Sequence, residues 1–246
     1  MIKIEIQKSF GEAFLYFLRA LRCKKLNFIL EDFPIPQFLL KNSYLIPTSK
    51  KEMIESWQTP LLFIVAFGLF SYYWLVFYKN ILRVLKSLRS EKELLSNISL
   101  KIPQYTHCEW NYEKISIYPV VGKWAAARFD KVYIGITPVS LSDHESRGII
   151  IHELIHMNTH EQSKNRMGDQ LVNLDLADEL AAIITTRIIQ KNVLDRPAHD
   201  LQALTNPLGN IISEEELTSL EKVAARGISF ANLLIYCDRT LSGKTL

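Results

Sequence analysis

The stretch SDHESRGIIIHELIH, residues 142–156, decides which fold and which kind of site this chain can form. It opens at Ser142 with a capping box, S-x-x-E, which predicts that a helix begins at about Asp143. The motif HExxH then falls in the middle of that helix. His152 and His156 project from one helix face a turn apart, so both imidazoles can reach a single zinc ion at about 2.0–2.1 Å.

Glu153 follows the first of these histidines but is rotated away from it around the helix. A carboxylate in that place can take a proton from a zinc-activated water without ligating the metal, which makes Glu153 the candidate general base. The alternative is a helix with two surface histidines and no metal. Leu154 and Ile155 argue against it, because histidines in so apolar a helix are mostly buried, and buried imidazoles need partners.

A catalytic zinc usually has three protein ligands, so a third must come from elsewhere in the chain. The best candidate is Glu179, in the apolar helical segment DLADELAA at 175–182, because a carboxylate in a core-facing helix is costly unless it is paired or bound to metal. Asp175 is an alternative ligand, or a hydrogen-bond partner of a zinc histidine. Asp178 is predicted to be solvated or to cap the helix. The alternative needs no metal: all three acids lie near the start of the helix, where negatively charged side chains stabilise the helix N-terminus.

Four further polar residues could in principle act at this site, one as a metal ligand and three as the oxyanion donor. His160 continues the histidine series, but in an unbroken helix it lies about 12 Å from His152 along the axis and cannot share its metal. A donor to the transition-state oxyanion is also expected, and His199, Arg187 and Tyr236 are possible. Nothing in the sequence selects one of them.

An uncharged run upstream of the motif reads LLFIVAFGLFSYYWLVFY at 61–78. As a helix it would be roughly 27 Å long, close to the hydrocarbon thickness of a bilayer. Trp57 and the aromatic residues of its second half suit a headgroup interface. The run therefore predicts one transmembrane helix over 59–79, with a buried core helix as the alternative.

The charges flanking this run suggest an orientation. Basic residues are more numerous after it than before it, which favours a cytoplasmic position for the C-terminal part of a single-pass membrane protein. The residues compared are Lys79, Arg83, Lys86, Arg89 and Lys92 after the run, and Lys41, Lys50 and Lys51 before it.

Composition narrows the class of protein. Of the 246 residues, 48% are hydrophobic, which excludes a disordered chain. The formal net charge of +3 does not suggest a nucleic-acid partner. The three cysteines lie far apart and make neither a disulfide framework nor a zinc knuckle, so histidines and carboxylates must hold any metal.

The rest of the chain divides by composition and pattern. The predicted parts are an N-terminal amphipathic region at 1–58, the transmembrane helix at 59–79, a helical linker at 80–100, and a metallopeptidase domain at 101–246. Residues 10–30 alternate apolar and basic positions, as in a helix on a membrane surface or one packed on its own domain. Strands are predicted at 115–121 and 131–136, helices from about 143 and over 172–190, a loop at 195–209, and a capping box at Ser213 before a helical region that Gly227 interrupts.

The segment Val132–His156, in which a strand leads into the HExxH helix downstream of an apolar run, resembles the membrane-anchored zinc metallopeptidases of the HtpX and CAAX-prenyl-endopeptidase type. The resemblance covers roughly residues 100–190. It implies a zincin-type fold, mainly α with a small β element and one preceding transmembrane helix. It also implies one zinc ion per chain bound by His152, His156 and Glu179, with Glu153 as the base.

The predicted function is therefore a zinc-dependent endopeptidase that acts on a protein or peptide substrate and has the lipid bilayer as its other partner. An extended substrate is expected to pair with the strand at 131–136. One alternative is a membrane-bound sensor or regulator that cleaves a single partner. Another is a non-catalytic membrane scaffold with a structural metal site. The sequence makes no prediction of oligomeric state.

Overall fold

The computed structural model describes residues 2–22, 33–46, 60–122, 125–136, 143–161, 171–194 and 211–243. It is mostly helical with one small sheet, which confirms the predicted fold class at that level. The strands are β1 Lys3–Ile6, β2 Lys114–Val121, β3 Ala125–Arg128 and β4 Lys131–Ile136. The helices are α1 Phe10–Arg22, α2 Gln37–Lys41, α3 Pro60–Val76, α4 Tyr78–Ser90, α5 Lys92–Thr106, α6 Asp143–Glu161, α7 Leu174–Leu194, α8 Glu214–Ala224 and α9 Phe230–Ser242, with a 3₁₀ turn at Ser43–Leu45.

The sheet has the strand order β1-β2-β4-β3. The first three strands in that order are parallel, and β3 runs antiparallel to β4. Strands β2 and β4 lie where the sequence predicts them, because both are rich in β-branched and aromatic residues. β1 and β3 were not predicted, since each has only four residues and β3 is mostly alanine.

Strand β4 lies inside the sheet, with a hydrogen-bonded neighbour on each side. The prediction that a substrate pairs with residues 131–136 is therefore wrong, because both edges of that strand are already occupied. Within the described residues, β3 is the outer strand on this side of the sheet. A proline at Tyr133, the test suited to the predicted pairing, would break the sheet itself.

The apolar run forms helix α3, but this helix stops at Val76 instead of continuing to residue 79. The chain turns at Phe77, and α4 leaves at 64° to α3. Within the described residues no single helix is both long and apolar enough to cross a membrane; only the bent pair Leu62–Val76 and Tyr78–Ser90 meets that test. The bend lets the apolar face of the amphipathic helix α4 pack against the domain, with Ile81, Val84, Leu85 and Leu88 buried.

Helix α1 packs on its own domain, one of the two alternatives that its pattern left open. Most of its side chains from Ala13 to Leu21 are buried. Its phenylalanines interleave with aromatic side chains of α3, at ring-centroid distances of 5.0–5.8 Å. This aromatic cluster consists of Phe10, Phe14 and Phe17 of α1 with Phe63, Phe67, Phe70 and Trp74 of α3. The predicted continuation beyond Arg22 lies outside the described residues.

The C-terminal helices follow the sequence signals closely. Ser213 accepts the backbone N–H of Glu216, and the Glu216 carboxylate accepts the N–H of Ser213, so the predicted capping box is confirmed. Gly227 interrupts the helical region with a backbone φ of +78°, a conformation that glycine adopts without strain. Helix α6 begins at Asp143 as predicted, whereas its predicted cap Ser142 and the loop at 195–209 lie outside the described residues.

Candidate metal centre

Helices α6 and α7 carry the candidate site, and buried polar contacts hold each of them in place. Asn158 of α6 accepts the hydroxyl of Thr106 at 2.6 Å and donates to the carbonyl of Cys108 at 3.0 Å. Arg147, at the other end of α6, forms a largely buried ion pair with Glu91 between α4 and α5. These contacts fix the rotation of α6, and hence the direction in which its histidines point.

The start of α7 is tied to the last helix of the chain. The backbone N–H of Asn173 donates to the Asp238 carboxylate at 2.8 Å, which satisfies one of the donors that a helix N-terminus leaves unpaired. The following turns of α7 place two acidic side chains, Asp178 and Glu179, against the histidines of α6.

Three predicted ligands converge on one point between these helices. The Nε2 atoms of His152 and His156 are 2.9 Å apart. The two carboxylate oxygens of Glu179 lie 3.2 Å from His152 Nε2 and 3.3 Å from His156 Nε2. His152 is buried, whereas His156 and Glu179 are partly exposed. The structure thus brings Glu179 to two histidines that lie 27 and 23 positions earlier in the sequence.

These separations fit a zinc ion. Ligands about 2.0–2.1 Å from a tetrahedral centre lie about 3.3 Å from one another, close to the observed 2.9–3.3 Å. Two imidazole nitrogens and one carboxylate oxygen are also a donor set that zinc prefers. The two facing nitrogens make a poor pair by themselves, because a hydrogen bond between them requires one ring to carry its proton at that atom.

The electrostatics of the cluster also favour a cation. Burial lowers the pKa of His156, but hydrogen bonds to Asp178 and Glu179 outweigh it and raise that pKa well above its usual range. Burial raises the pKa of Glu179, but the two histidines outweigh it and hold that pKa below its usual range. The carboxylates therefore attract positive charge to this point, either as a proton on the imidazole or as a metal ion.

Asp178 has a role that the sequence analysis assigned differently. It was predicted to be solvated or a cap, yet its Oδ2 lies 3.0 Å from Nδ1 of His156. Asp175, the alternative ligand or histidine partner, is exposed and does not join the cluster of ligating atoms. The rotation of α7 about its axis explains why Asp178 and not Asp175 contacts a histidine. It turns residues 178 and 179 toward α6 and leaves residue 175 exposed to solvent.

Asp178→Asn is expected to weaken zinc binding by about 10–100-fold without unfolding the protein. The carboxylate orients the imidazole and increases its basicity, and an uncharged amide does so less well. Zinc affinity by competition with a chromophoric chelator measures the effect. Asp175→Asn removes an exposed carboxylate from the same helix and should leave the affinity unchanged; an equal loss in both variants would contradict the role given to Asp178.

Glu153 is buried beside the cluster and meets the edge of the sheet. Its carboxylate accepts the backbone N–H of Ala127 in strand β3. Burial raises the pKa of Glu153, and the charge of Glu179 adds to that rise, while the two histidines and the Ala127 N–H oppose it. The contact with β3 fixes the carboxylate next to the ligands without making it one of them.

Sequence reasoning missed a buried polar group that interacts electrostatically with Glu153. Tyr16 of α1 is buried, and its hydroxyl has no hydrogen-bond partner within the described residues. Its ring stacks on Tyr133 at 4.7 Å. Burial raises the pKa of Tyr16, and the charge of Glu153 raises it further, so this hydroxyl is neutral and able to donate. No local signal marks Tyr16, because α1 precedes the motif by more than 120 residues.

The predicted oxyanion donors are placed elsewhere or are not described. The guanidinium of Arg187 is engaged by Glu214 and Glu221 of α8. Tyr236 is 43% exposed on α9. His199 lies outside the described residues. His160 is exposed and outside the group of ligating atoms, as its distance along the helix predicts.

A cavity of about 350 Å³ opens beside His156. None of the described residues that line the cavity has a carboxylate. They come from α6, from β3 and the turn between β3 and β4, and from the segment before β2. They are Tyr112, Ala127, Arg128, Phe129, His156, Met157 and His160. A cavity of this size can hold one large side chain next to the candidate centre.

Comparisons of the chain with protein-family models, curated protein sequences and solved structures found no match. The resemblance to membrane-anchored zinc metallopeptidases therefore rests on the residues of this chain alone, and it stays a prediction.

Proposed function

We propose that this protein is a zinc-dependent endopeptidase with a zincin-type site. One observation carries the proposal: the ligating atoms of His152, His156 and Glu179 lie 2.9–3.3 Å from one another, with the buried carboxylate of Glu153 beside them. Two histidines at i and i+4 with an adjacent glutamate are suited to peptide hydrolysis, and the third ligand comes from a separate helix, as such sites require.

Each residue has one task in the proposed reaction. A zinc ion held by the three ligands would polarise the substrate carbonyl and lower the pKa of water. Glu153 takes the proton of the attacking water and delivers it to the leaving amine. Asp178 holds the imidazole of His156 in the orientation that directs Nε2 inward. The N–H of Ala127 holds Glu153 in place through this cycle.

The substrate is proposed to bind as an extended peptide along strand β3. Within the described part of the chain, this strand is the outer one on the side of the sheet that meets Glu153. Apart from the Ala127 N–H, which Glu153 accepts, the backbone groups of an edge strand can pair with a further strand. One side chain of such a peptide would enter the cavity beside His156.

The test is digestion of a diverse peptide mixture by the full chain, followed by mass spectrometry of the products. Zinc-loaded protein should cleave internal peptide bonds, chelation should stop cleavage, and added zinc should restore it. A folded protein that binds no zinc would contradict the proposal and leave the scaffold alternative. Zinc binding with cleavage of no peptide in the mixture would favour the regulator that acts on a single partner.

A structural zinc site is the less suitable alternative on chemical grounds. Structural sites are closed by four protein ligands. The described residues supply a group of three, and the nearby Asp178 carboxylate is directed at the outer nitrogen of His156. This arrangement leaves a coordination position for water or substrate.

We assign the oxyanion donor to the Tyr16 hydroxyl, because it is neutral, has no hydrogen-bond partner within the described residues and interacts electrostatically with Glu153. Tyr16→Phe is expected to lower kcat by about 10²–10³-fold, with little change in KM or in zinc content, because the donor acts only as negative charge develops on the substrate oxygen. Steady-state kinetics on a peptide substrate measure this.

Tyr118→Phe is the matched control, since Tyr118 lies in the neighbouring strand to Tyr133 and in the same group of tyrosines. Unchanged kcat in Tyr16→Phe, with zinc retained, would remove Tyr16 from the mechanism.

A further inference from the structure

Among the described residues, helix α3 has an apolar face that is exposed. Five of its large apolar side chains, Ile64, Phe67, Tyr72, Leu75 and Val76, are 44–72% exposed. They repeat at intervals of one to five residues along one side of the helix. A contiguous apolar surface of this kind usually marks a contact with a membrane or with another protein.

Beyond the bend at Phe77, the exposed side of helix α4 is basic. Lys79, Arg83 and Lys86 of α4 are exposed and continue the spacing of three or four residues from Leu75, together with the exposed Leu82. No acidic residue occurs between residues 60 and 90. We call the exposed side chains of the two helices together the α3–α4 strip: Ile64, Phe67, Tyr72, Leu75, Val76, Lys79, Leu82, Arg83 and Lys86.

The opposite side of α3 is committed to the protein. Ala66, Phe70, Tyr73 and Trp74 are buried, and the aromatic cluster joins Phe70 and Trp74 to α1. Phe67 is partly exposed and also contacts α1, so it lies at the border between the buried and the exposed side. A helix that crosses a bilayer alone meets lipid on all sides, whereas α3 has one side against the domain and one side free. This geometry suits a helix lying in the plane of a membrane surface, with its apolar side toward the acyl chains.

We propose that the α3–α4 strip docks on the surface of an anionic lipid bilayer, parallel to the membrane, and does not cross it. The apolar half enters the interface, and the basic half contacts acidic headgroups. Helix α2 packs beside α3 and carries the exposed Phe38, and the 3₁₀ turn that follows α2 carries the exposed Tyr44 and Leu45. Tyrosine suits the headgroup level, because its ring is apolar and its hydroxyl stays hydrated.

A second copy of the chain fits the strip less well than lipid does. A two-fold pairing would place basic side chains against basic or apolar ones, since the strip contains no acid to receive them. Acidic headgroups provide the missing negative charge.

The first experiment is flotation of the full chain with vesicles of phosphatidylcholine alone or with about one third phosphatidylserine. Binding is expected only to the anionic vesicles and is expected to fall with added salt, because the basic half acts through screened charges. Alkaline carbonate should release the protein. If the protein stays with the vesicles after the carbonate wash, whatever the lipid charge, the proposal is overturned in favour of a helix pair that spans the bilayer.

Two sets of variants locate the contact. Leu75→Glu, and separately Lys79→Glu with Arg83→Glu, should each lower vesicle binding by about tenfold or more. Lys101→Glu and Lys191→Glu change exposed lysines of α5 and α7 and should bind as the wild type does. Equal vesicle binding by all variants would overturn the proposal. So would a dimer that forms without vesicles and is lost in Leu75→Glu.

A depth measurement keeps the test independent of these substitutions. The chain already has four tryptophans. Tyr72→Trp adds a reporter at an exposed position of the strip, and its signal is the difference in quenching between this variant and the wild type. Lipids brominated near the headgroup should quench it more strongly than lipids brominated near the chain end, whereas a spanning α3 would give deep quenching. None of these measurements uses peptide hydrolysis, so failure of the proposed enzyme activity and failure of this docking are separate results.

Discussion

Glu179→Ala is expected to lower zinc affinity by more than about 100-fold and to abolish peptide hydrolysis, with the protein still folded. Removal of a ligand costs more than removal of a residue that only orients one, for which about 10–100-fold is typical. The carboxylate also balances the two histidines, which lie 3.2 and 3.3 Å from its oxygens. Zinc per chain, measured by elemental analysis after dialysis, should fall from about one to near zero.

Asp175→Ala is the matched control for this result. It removes an acidic side chain one turn earlier on the same helix, where the residue is exposed and outside the cluster of ligating atoms. It should keep the zinc content of the wild type. If Asp175→Ala loses its zinc while Glu179→Ala keeps it, Asp175 is the third ligand and Glu179 is not. Circular dichroism of each variant shows whether the helices have formed.

Glu153→Gln is expected to lower kcat by about 10²–10⁴-fold while the zinc content stays that of the wild type, because the amide cannot accept the proton of the attacking water. The amide has nearly the same shape as the carboxylate, and its oxygen can still accept the Ala127 N–H. The measurement pairs single-turnover hydrolysis of a peptide with zinc content on the same sample.

This pairing separates the two substitutions at the site. Glu179→Ala should lose metal and activity together, whereas Glu153→Gln should lose activity alone. Hydrolysis by Glu153→Gln at the wild-type rate would exclude this residue as the base. A parallel loss of zinc would instead make it a ligand, and the site would have to be reassigned.

The histidine pair and Glu153 could be predicted because their geometry is local. An interval of four residues on a helix puts two side chains on one face, whatever the helix packs against. Glu179 was predicted from a different argument, the cost of burying a carboxylate in an apolar helix. Asp178 was placed wrongly because adjacent helical positions differ by about 100° in direction. The packing of α7 on α6 decides whether residue 175 or residue 178 reaches the histidines.

The missed parts of the fold depend on partners that are distant in sequence. β1 exists as a strand because it pairs with β2, more than 100 residues later. β3 contains three alanines, whose intrinsic preference for strands is low, and pairing with β4 outweighs that preference. The bend at Phe77 follows from the need to bury one face of α4 on the domain, which the uncharged run at 61–78 does not reveal.

Local sequence patterns were enough to predict the helix that carries HExxH, the shared face of His152 and His156, the candidate base Glu153 and the mainly helical character of the chain. These features follow from periodicity, capping and residue chemistry, which act over a few neighbouring positions. Packing between distant elements makes Asp178 contact His156 and buries the Tyr16 hydroxyl without a hydrogen-bond partner among the described residues. Within the same residues, packing also makes β3 the outer strand beside Glu153 and gives α3 one buried and one exposed side. Each of these depends on how two elements rotate and pack against each other, and such contacts leave no short-range pattern in the chain.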